Sequence, residues 1–174
     1  MNPMQQVRIE KLTLNIGAGK DQTVLEKGMT VIKSLTGVEP QKRITKKRIP
    51  TWGLRPGLPV GVRLTLRGEK AQQMLRRTLK AKEFKLRTSH FDDAGSLSFG
   101  IPEHIEIEGA KYDPKIGVMG LQVCVTLEKP GFHVKRRRVR SSPVGKNHRI
   151  RREESITFMK DKFNITISDE EEEA

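Results

Sequence analysis

Clusters of lysine and arginine without intervening acids give this chain its most evident chemistry. Residues 41–67 contain eight basic residues and no acidic one, and residues 133–152 contain nine basic residues and no acidic one. Ammonium and guanidinium groups neutralise phosphates, and a guanidinium can hold a phosphate through two parallel hydrogen bonds. The two segments therefore predict a polyanionic partner, and they favour nucleic acid over an anionic membrane surface.

The first basic segment has the composition of a projecting loop. Among its cations lie Trp52, the only tryptophan of the chain, and three prolines, Pro50, Pro56 and Pro59. Prolines restrict the backbone, so such a loop loses less conformational entropy when it docks on a ligand. Two interpretations of Trp52 stay open, stacking on a base and packing against its own loop.

The second basic segment, residues 135–152, is typical of an arginine-rich arm that becomes ordered on RNA. Nuclear targeting and contact with a membrane surface produce similar compositions. No apolar helical stripe accompanies the cations, and no run of the chain approaches the ~18–20 apolar residues that a spanning helix needs. We therefore expect no membrane partner.

The spacing of apolar residues alternates between strand-like and helix-like, which predicts an α+β fold. A strand is predicted over 60–67 and a helical stripe over 71–79, with Gly68 at their junction. A first strand over 7–16 is predicted to bulge where Glu10 and Lys11 interrupt its alternation, and a helix runs from an N-cap at Asp21 to Gly37. Later patterns predict a strand over 121–127, a helix over 153–162 and a strand over 163–167.

A flat RNA-binding surface follows if the strands at 7–16 and 60–67 are neighbours. Their polar positions alternate with apolar ones and are Thr13, Asn15, Arg63, Thr65 and Arg67. Hydroxyl and amide groups suit ribose and base edges in the shallow minor groove of RNA. The alternative is an ordinary solvent-facing sheet, but arginines at alternate positions favour RNA.

Enzyme signatures are missing from the sequence. The segment from Gly17 to Lys20 lacks the first glycine and the hydroxyl residue of a phosphate-binding loop. The four histidines and Cys124 do not have the spacing of metal ligands, and a single cysteine gives no disulfide framework. We predict no catalytic residue, no metal site and no cofactor, and the absence of a signal peptide predicts a cytoplasmic protein.

A change in composition marks the end of the predicted domain. We expect one RNA-binding domain over residues 1–168, followed by a disordered, solvating acidic tail at residues 169–174. The chain has 34 basic and 21 acidic residues and a formal charge of +13; without the five acids of the tail, 34 basic residues face 16 acidic ones, a charge of +18.

Several segments, collinear over almost the whole chain, resemble the large-subunit ribosomal protein L-five family. They are Ile9-Glu-Lys-Leu-Thr-Leu-Asn-Ile-Gly-Ala-Gly-Lys-Asp21, Gly57-Leu-Pro-Val-Gly-Val-Arg-Leu-Thr-Leu-Arg-Gly68, Phe91-Asp-Asp-Ala-Gly95, Phe99-Gly-Ile-Pro-Glu-His104, Tyr112-Asp and Gly120-Leu-Gln-Val. Such an ordered set is more specific than any single motif. The basic residues 135–152 ahead of a terminal helix are similar to the archaeal and eukaryotic branch.

The resemblance implies an antiparallel sheet with helices packed on one face, long basic loops and a structural, non-enzymatic role in the large ribosomal subunit. It implies binding to 5S rRNA and to large-subunit rRNA in the central protuberance. It also implies a basic loop at P-site tRNA, a contact with a small-subunit head protein, and contacts with neighbouring central-protuberance proteins.

The resemblance and the predicted surface together give three sets of candidate RNA-binding residues. The 5S rRNA set is Thr13, Asn15, Thr45, Arg63, Thr65 and Arg67. The tRNA-binding loop, residues 46–57, contributes Lys46, Lys47, Arg48, Thr51, Trp52 and Arg55. The set for other rRNA is Lys42, Arg43, Arg136, Arg137, Arg138, Arg140, Lys146 and Arg149. The chain departs from many relatives in having Val38 and Glu39 after Gly37, where they have glutamine.

Two other classes of protein stay open on the residues alone. A free RNA chaperone would bind many RNAs through the same basic segments. An enzyme acting on nucleic acid is disfavoured, because acid/base and metal-binding clusters are missing.

Overall fold

The computed structural model describes residues 2–168, so the predicted acidic tail at 169–174 lies outside the described residues. In chain order the elements are β1 (Arg8–Gly17), α1 (Gln22–Thr36), β2 (Gln41–Ile44), β3 (Pro59–Leu66), α2 (Gly68–Ala81), β4 (Lys85–Arg87), β5 (Leu97–Ile101), β6 (Leu121–Glu128), α3 (His133–Arg136), α4 (Arg152–Phe163) and β7 (Thr166–Ser168). The predicted α+β class is confirmed. Within this part of the chain, no helix has the length and apolar content to cross a membrane.

Five strands form an antiparallel sheet in the order β2-β3-β1-β6-β5. Successive side chains of a strand point to opposite faces, so the alternating sequence buries one face of this sheet. That face carries Leu12, Leu14, Ile16, Val62, Leu64, Leu66, Val123 and Val125, all within the hydrophobic core. The apolar stripes of α1 and α2 join the same core, and the opposite face of the sheet keeps its polar side chains.

The junctions between elements follow the predicted backbone signals. α1 ends at Gly37, which has a φ of 68°, and α2 begins at Gly68. The predicted bulge in β1 is confirmed, because the register with β6 shifts between Ile9 and Lys11. Asp21 occupies the N-cap position of α1, but its side chain makes no capping hydrogen bond.

The predicted strand over 163–167 is wrong in its boundaries. Phe163 is the last residue of α4, and Asn164 follows it in the left-handed conformation, which ends the helix. The strand begins only at Thr166 and pairs in parallel with β4, which the sequence did not indicate. Phe163 and Ile165 are buried, so their apolar character reflects packing rather than strand alternation.

Two strands of the main sheet were also not predicted. All four residues of β2 are exposed, so this edge strand has no buried face to leave a period-two pattern. β5 does alternate between buried and exposed residues, but it is only five residues long and contains Gly100. Short strands with a glycine give weak sequence signals.

We predict that Leu14→Ala lowers the free energy of unfolding by about 2–5 kcal/mol, because Leu14 has no exposed surface and its removal leaves a cavity. Urea denaturation followed by circular dichroism measures the loss. The matched control is Ile44→Ala in β2, whose side chain is 60% exposed and whose truncation should change stability by less than about 0.5 kcal/mol. Equal losses in the two variants would contradict this placement of the core.

Candidate nucleic-acid interface

Two rows of paired residues, most of them polar, cross the open face of the sheet; the first takes one residue from each of the five strands, and the second takes one from each strand except β2. Paired residues of antiparallel strands present their side chains on the same face, so the strand register defines each row. The first row is Gln41, Arg63, Asn15, Gln122 and Gly100. The second row is Thr65, Thr13, Cys124 and Ser98. Neither row contains an acidic residue.

The rows bring together four of the six residues predicted to bind 5S rRNA. Asn15 pairs with Arg63, and Thr13 pairs with Thr65, so the predicted neighbourhood of these two strands is confirmed. Arg67 follows β3 at the start of α2 and is exposed. Thr13 is buried, with 7% of its surface exposed, whereas Asn15, Arg63 and Thr65 are half-buried. The open face therefore presents amide, guanidinium and hydroxyl groups through the latter three residues.

Charge is unevenly distributed over this face. Arg43 and Arg63 line a shallow cavity of about 230 Å³ at the β2-β3 side, together with Thr65 and the acidic Glu39. On the β6-β5 side the residues are uncharged, and burial raises the pKa of the Cys124 thiol, which keeps the thiol protonated near neutral pH. Cations therefore occupy one side of the sheet and small neutral groups the other.

Strand alternation separates two residues that the sequence analysis grouped together. Arg43 pairs with Gly61 and belongs to the open face, whereas its neighbour Lys42 pairs with the buried Val62. Lys42 instead lines a groove beside Met29 and Thr30 of α1. The two cations therefore serve opposite faces of the edge strand.

The predicted tRNA-binding loop connects β2 to β3 and contains a short hairpin of its own. Ile49 and Leu54 pair by two backbone hydrogen bonds of 3.0 Å, and Pro50–Trp52 forms a single 3₁₀ turn at the tip. Gly53 closes that turn with a φ of 61°. All six candidate residues of the loop are exposed: Lys46, Lys47, Arg48, Thr51, Trp52 and Arg55.

Trp52 is 64% exposed at the tip of this hairpin. The structure therefore does not support the interpretation in which Trp52 packs against its own loop. An indole ring exposed beside cations leaves a flat surface on which a base or a ribose can stack.

Thr45 stands apart from the other residues assigned to 5S rRNA. Its hydroxyl donates to the Leu58 carbonyl at 3.1 Å, and its backbone bonds with Leu58 and Gly57 close the base of the loop. The structure gives Thr45 a part in holding the loop against the sheet, outside the two polar rows.

The second basic segment is attached to the sheet through buried carboxylates. Arg136 of α3 forms ion pairs with Glu128 at 2.6 Å and with Glu10 at 2.8 Å. Arg8 approaches the other oxygen of Glu128 at 2.8 Å, and the Glu128 side chain is only 6% exposed. A carboxylate shielded from water in this way needs such partners, so Arg136 has a structural role in holding the segment against the sheet.

A further ion pair fixes the chain just before the second basic segment. Lys129 lies 2.8 Å from Glu154 of α4, and the Lys129 side chain is 7% exposed. Nearby, a ring nitrogen of His148 lies 2.6 Å from the Pro130 carbonyl. The remaining candidate cations of the segment are exposed: Arg137, Arg138, Arg140, Lys146 and Arg149.

His104 and Asp92, which lie outside the two rows and the basic segments, make hydrogen bonds within the fold. The ring Nδ1 of the buried His104 accepts a hydrogen bond from the Met119 backbone N–H at 3.3 Å. Asp92 and Gly95 form a turn, in which the Gly95 N–H donates to the Asp92 carbonyl at 2.9 Å. Over residues 2–168, no three His, Cys, Asp or Glu side chains are grouped so that they could hold a metal ion.

Sequence reasoning missed the part of the open face that β6 and β5 supply. Gln122, Cys124 and Ser98 complete the two rows, and Asn15 Nδ2 donates to Gln122 Oε1 at 3.4 Å. The alternation of residues 121–127 already indicated a strand with a polar face. What it did not indicate was that this strand lies next to β1.

Comparison with known proteins agrees with this architecture. A family model described as Ribosomal protein L5 matches residues 2–55, and a second model, described as the C-terminus of the same ribosomal protein family, matches residues 59–158. Three relatives carry the name Large ribosomal subunit protein uL5. That of Nanoarchaeum equitans is 48% identical over 95% of this chain and 98% of its own length. Those of Sulfurisphaera tokodaii and Pyrobaculum aerophilum are 45% and 44% identical, over 96% and 95% of this chain and 95% and 93% of their own lengths.

The fold and these matches define a structural component of the large ribosomal subunit rather than an enzyme. More particularly, the chain belongs to the ribosomal protein L5 family and is similar to its archaeal members. The predictions of a non-enzymatic protein and of a location in the cytoplasmic ribosome are confirmed by this membership.

We predict that Glu154→Gln removes a pH-dependent contribution to stability. The hydrogen bond from Lys129 holds the pKa of Glu154 below its ordinary value of 4.5. A lowered pKa in the folded state stabilises the protein above about pH 4.5, and this contribution disappears as the pH falls through the lower folded-state pKa. The variant should lose about 1 kcal/mol at pH 7, and its difference from the parent protein should shrink as the pH falls below about 4.5.

The matched control is Glu153→Gln, which removes the same charge from the same first turn of α4, where the side chain is exposed. Urea unfolding at pH 3, 5 and 7 gives the three free energies for each protein. A gap between Glu154→Gln and the parent that stays constant over this range would show that the ion pair does not stabilise the fold.

Proposed function

We propose that the open face of the sheet binds 5S rRNA in the central protuberance of the large subunit. The observation that carries this proposal is the pair of rows in which Thr13, Asn15, Arg63 and Thr65 lie together without an acidic residue. Arg63, with Arg67 at the end of β3, neutralises phosphates, and the half-buried Thr65 and Asn15 side chains hydrogen-bond to ribose and base edges, while the buried Thr13 lies beneath them. Thr45 supports this surface from the base of the loop.

The two basic segments extend the interface beyond 5S rRNA. We assign the exposed hairpin at residues 46–57 to P-site tRNA, because its cations and Trp52 are exposed to solvent. Large-subunit rRNA is the proposed partner of Lys42, Arg43, Arg136, Arg137, Arg138, Arg140, Lys146 and Arg149. In this division, Arg136 fixes the segment to Glu128 and its neighbours contact phosphates.

Protein partners complete the proposal. A small-subunit head protein and neighbouring central-protuberance proteins require apolar as well as basic surface. Tyr112 and Val118 are 59% and 55% exposed in the segment between β5 and β6. Exposed apolar side chains of this size support a protein contact there.

We predict that Arg63→Ala weakens binding to 5S rRNA and makes it less dependent on salt. Each lost phosphate contact should reduce the slope of log K against log salt concentration by about 0.7–0.9. Fluorescence anisotropy titrations between low and moderate salt measure the slope. Lys42→Ala is the control, since this cation lies on the other side of β2 and should leave binding to isolated 5S rRNA unchanged.

Competition with unlabelled tRNA and an unrelated structured RNA tests whether the protein has a specific partner. Strong preference for 5S rRNA supports the proposal, whereas equal displacement by all RNAs favours the RNA chaperone. Parent affinity that is flat across the salt range would show that phosphate neutralisation does not drive binding.

A second prediction separates the loop from the sheet. The triple variant Lys47→Ala, Arg48→Ala and Arg55→Ala should bind 5S rRNA as the parent does but weaken retention of P-site tRNA. The reason is that all three side chains are exposed in the loop and none of them belongs to the polar rows. Filter binding of tRNA to reconstituted ribosomes provides the measurement. Loss of 5S rRNA binding in this variant would contradict the proposed division of labour.

A further inference from the structure

Gln122 and Asn15 form a pair of side-chain amides at the centre of the first row. Asn15 Nδ2 donates to Gln122 Oε1 over a long distance of 3.4 Å, so the two groups lie side by side without a tight bond. The structure gives neither side chain another hydrogen bond within residues 2–168. Gln122 is exposed and Asn15 is half-buried, so both can be reached from the open face.

The pairing determines which hydrogen-bonding groups the two amides leave for a ligand. Each amide has a carbonyl acceptor and an NH₂ donor. With the Asn15 NH₂ directed at the Gln122 carbonyl, Asn15 Oδ1 is left as an acceptor and Gln122 Nε2 as a donor. If both amides are turned over, the two roles are exchanged between the residues. Either orientation therefore presents one acceptor beside one donor.

The neighbours of the amide pair in the row leave room for a ligand on one side and supply charge on the other. Gly100 is the partner of Gln122 in β5, and a Cβ added there would meet no atom within 4 Å. Arg63 is the partner of Asn15 in β3. The backbones of Arg63 and Gln122 are two strand spacings apart, about 10 Å. A nucleotide over Gln122 can therefore keep its phosphate within reach of Arg63.

We propose that the Asn15 and Gln122 amides together recognise an adjacent donor and acceptor in the minor groove of the bound RNA. This inference rests on the proposed binding of 5S rRNA to the sheet. Two groups have the required chemistry, the ribose 2′-hydroxyl and the minor-groove edge of guanine, whose N2 amino group donates and whose N3 accepts. Adenine offers only an acceptor on this edge, so it satisfies half of the pair.

The amide pair supplies selectivity where the arginines supply affinity. Phosphate contacts fix position but carry no sequence information, whereas contacts to base and ribose edges do. Gln122 lies on the β6-β5 side of the rows, where its row neighbours Asn15 and Gly100 are uncharged. Because Gly100 has no side chain, a base or ribose can approach Gln122 closely from that side, so Gly100 belongs to the same proposed site.

The first test uses the full-length protein and labelled 5S rRNA. Gln122→Ala should weaken binding about 5- to 50-fold, with the salt dependence unchanged because no phosphate contact is lost. Gly100→Leu should weaken binding similarly by covering the approach to Gln122, and the open space around Gly100 means that the fold should tolerate this change. The matched control is Gln73→Ala, the same change at an exposed position of α2, which packs against the core and not on the open face. Parent-like affinity in Gln122→Ala and Gly100→Leu would overturn the inference.

The second test identifies the ligand group through nucleotide-analogue interference. Inosine replaces guanosine at scattered positions to remove the N2 amino group, and 2′-deoxynucleotides remove the hydroxyl. Positions at which an analogue weakens binding of the parent protein but no longer weakens binding of Gln122→Ala are the partners of the amide pair. Inosine positions indicate guanine, and deoxy positions indicate ribose.

The outcomes distinguish this inference from the function on which it rests. If the parent protein prefers 5S rRNA but its interference map is identical to that of Gln122→Ala, the sheet binds 5S rRNA without the amide pair. If unrelated RNAs displace 5S rRNA equally, the proposed function itself fails, and the amide pair has no defined ligand.

Discussion

The register of β1 between β3 and β6 is the constraint on which the rest of the structure depends. Because side chains alternate along a strand, a shift of one residue would exchange the leucines of the core for the polar side chains of the open face. The bulge between Ile9 and Lys11 absorbs the irregularity at the outer end of β1, away from Thr13 and Asn15. Helix packing and the polar rows are thus two consequences of a single alignment of strands.

Sequence patterns correctly predicted the strands and helices that bury one face and expose the other. The alternation around Arg63 and Thr65 correctly predicted both the strand and its polar face, and Gly37 correctly ended the first helix. The patterns failed where a strand lies at an edge or is very short, as in β2 and β4, because such strands bury too little for periodicity to appear. The contribution of Gln122 depends on which strands are neighbours, and neighbours across a sheet are not encoded in local spacing.

Acidic residues in the described chain organise the basic surface. Glu128 and Glu10 hold Arg136 and Arg8 near the sheet, and Glu154 holds the buried Lys129. The carboxylates are thus used to fix the base of the second basic segment, and the surrounding exposed arginines are left for solvent or phosphate. These ion pairs thus determine both where the second basic segment is attached and which of its cations stay exposed.

β2 is an edge strand of the sheet, and its composition affects how two free copies of the protein can interact. An edge strand exposes unpaired backbone groups to which a strand from another molecule can add. Here the edge strand is only four residues long, and it carries Lys42 and Arg43. Two molecules brought together there would place like charges against each other. The cations proposed for RNA thus also disfavour pairing of two copies of the chain along β2.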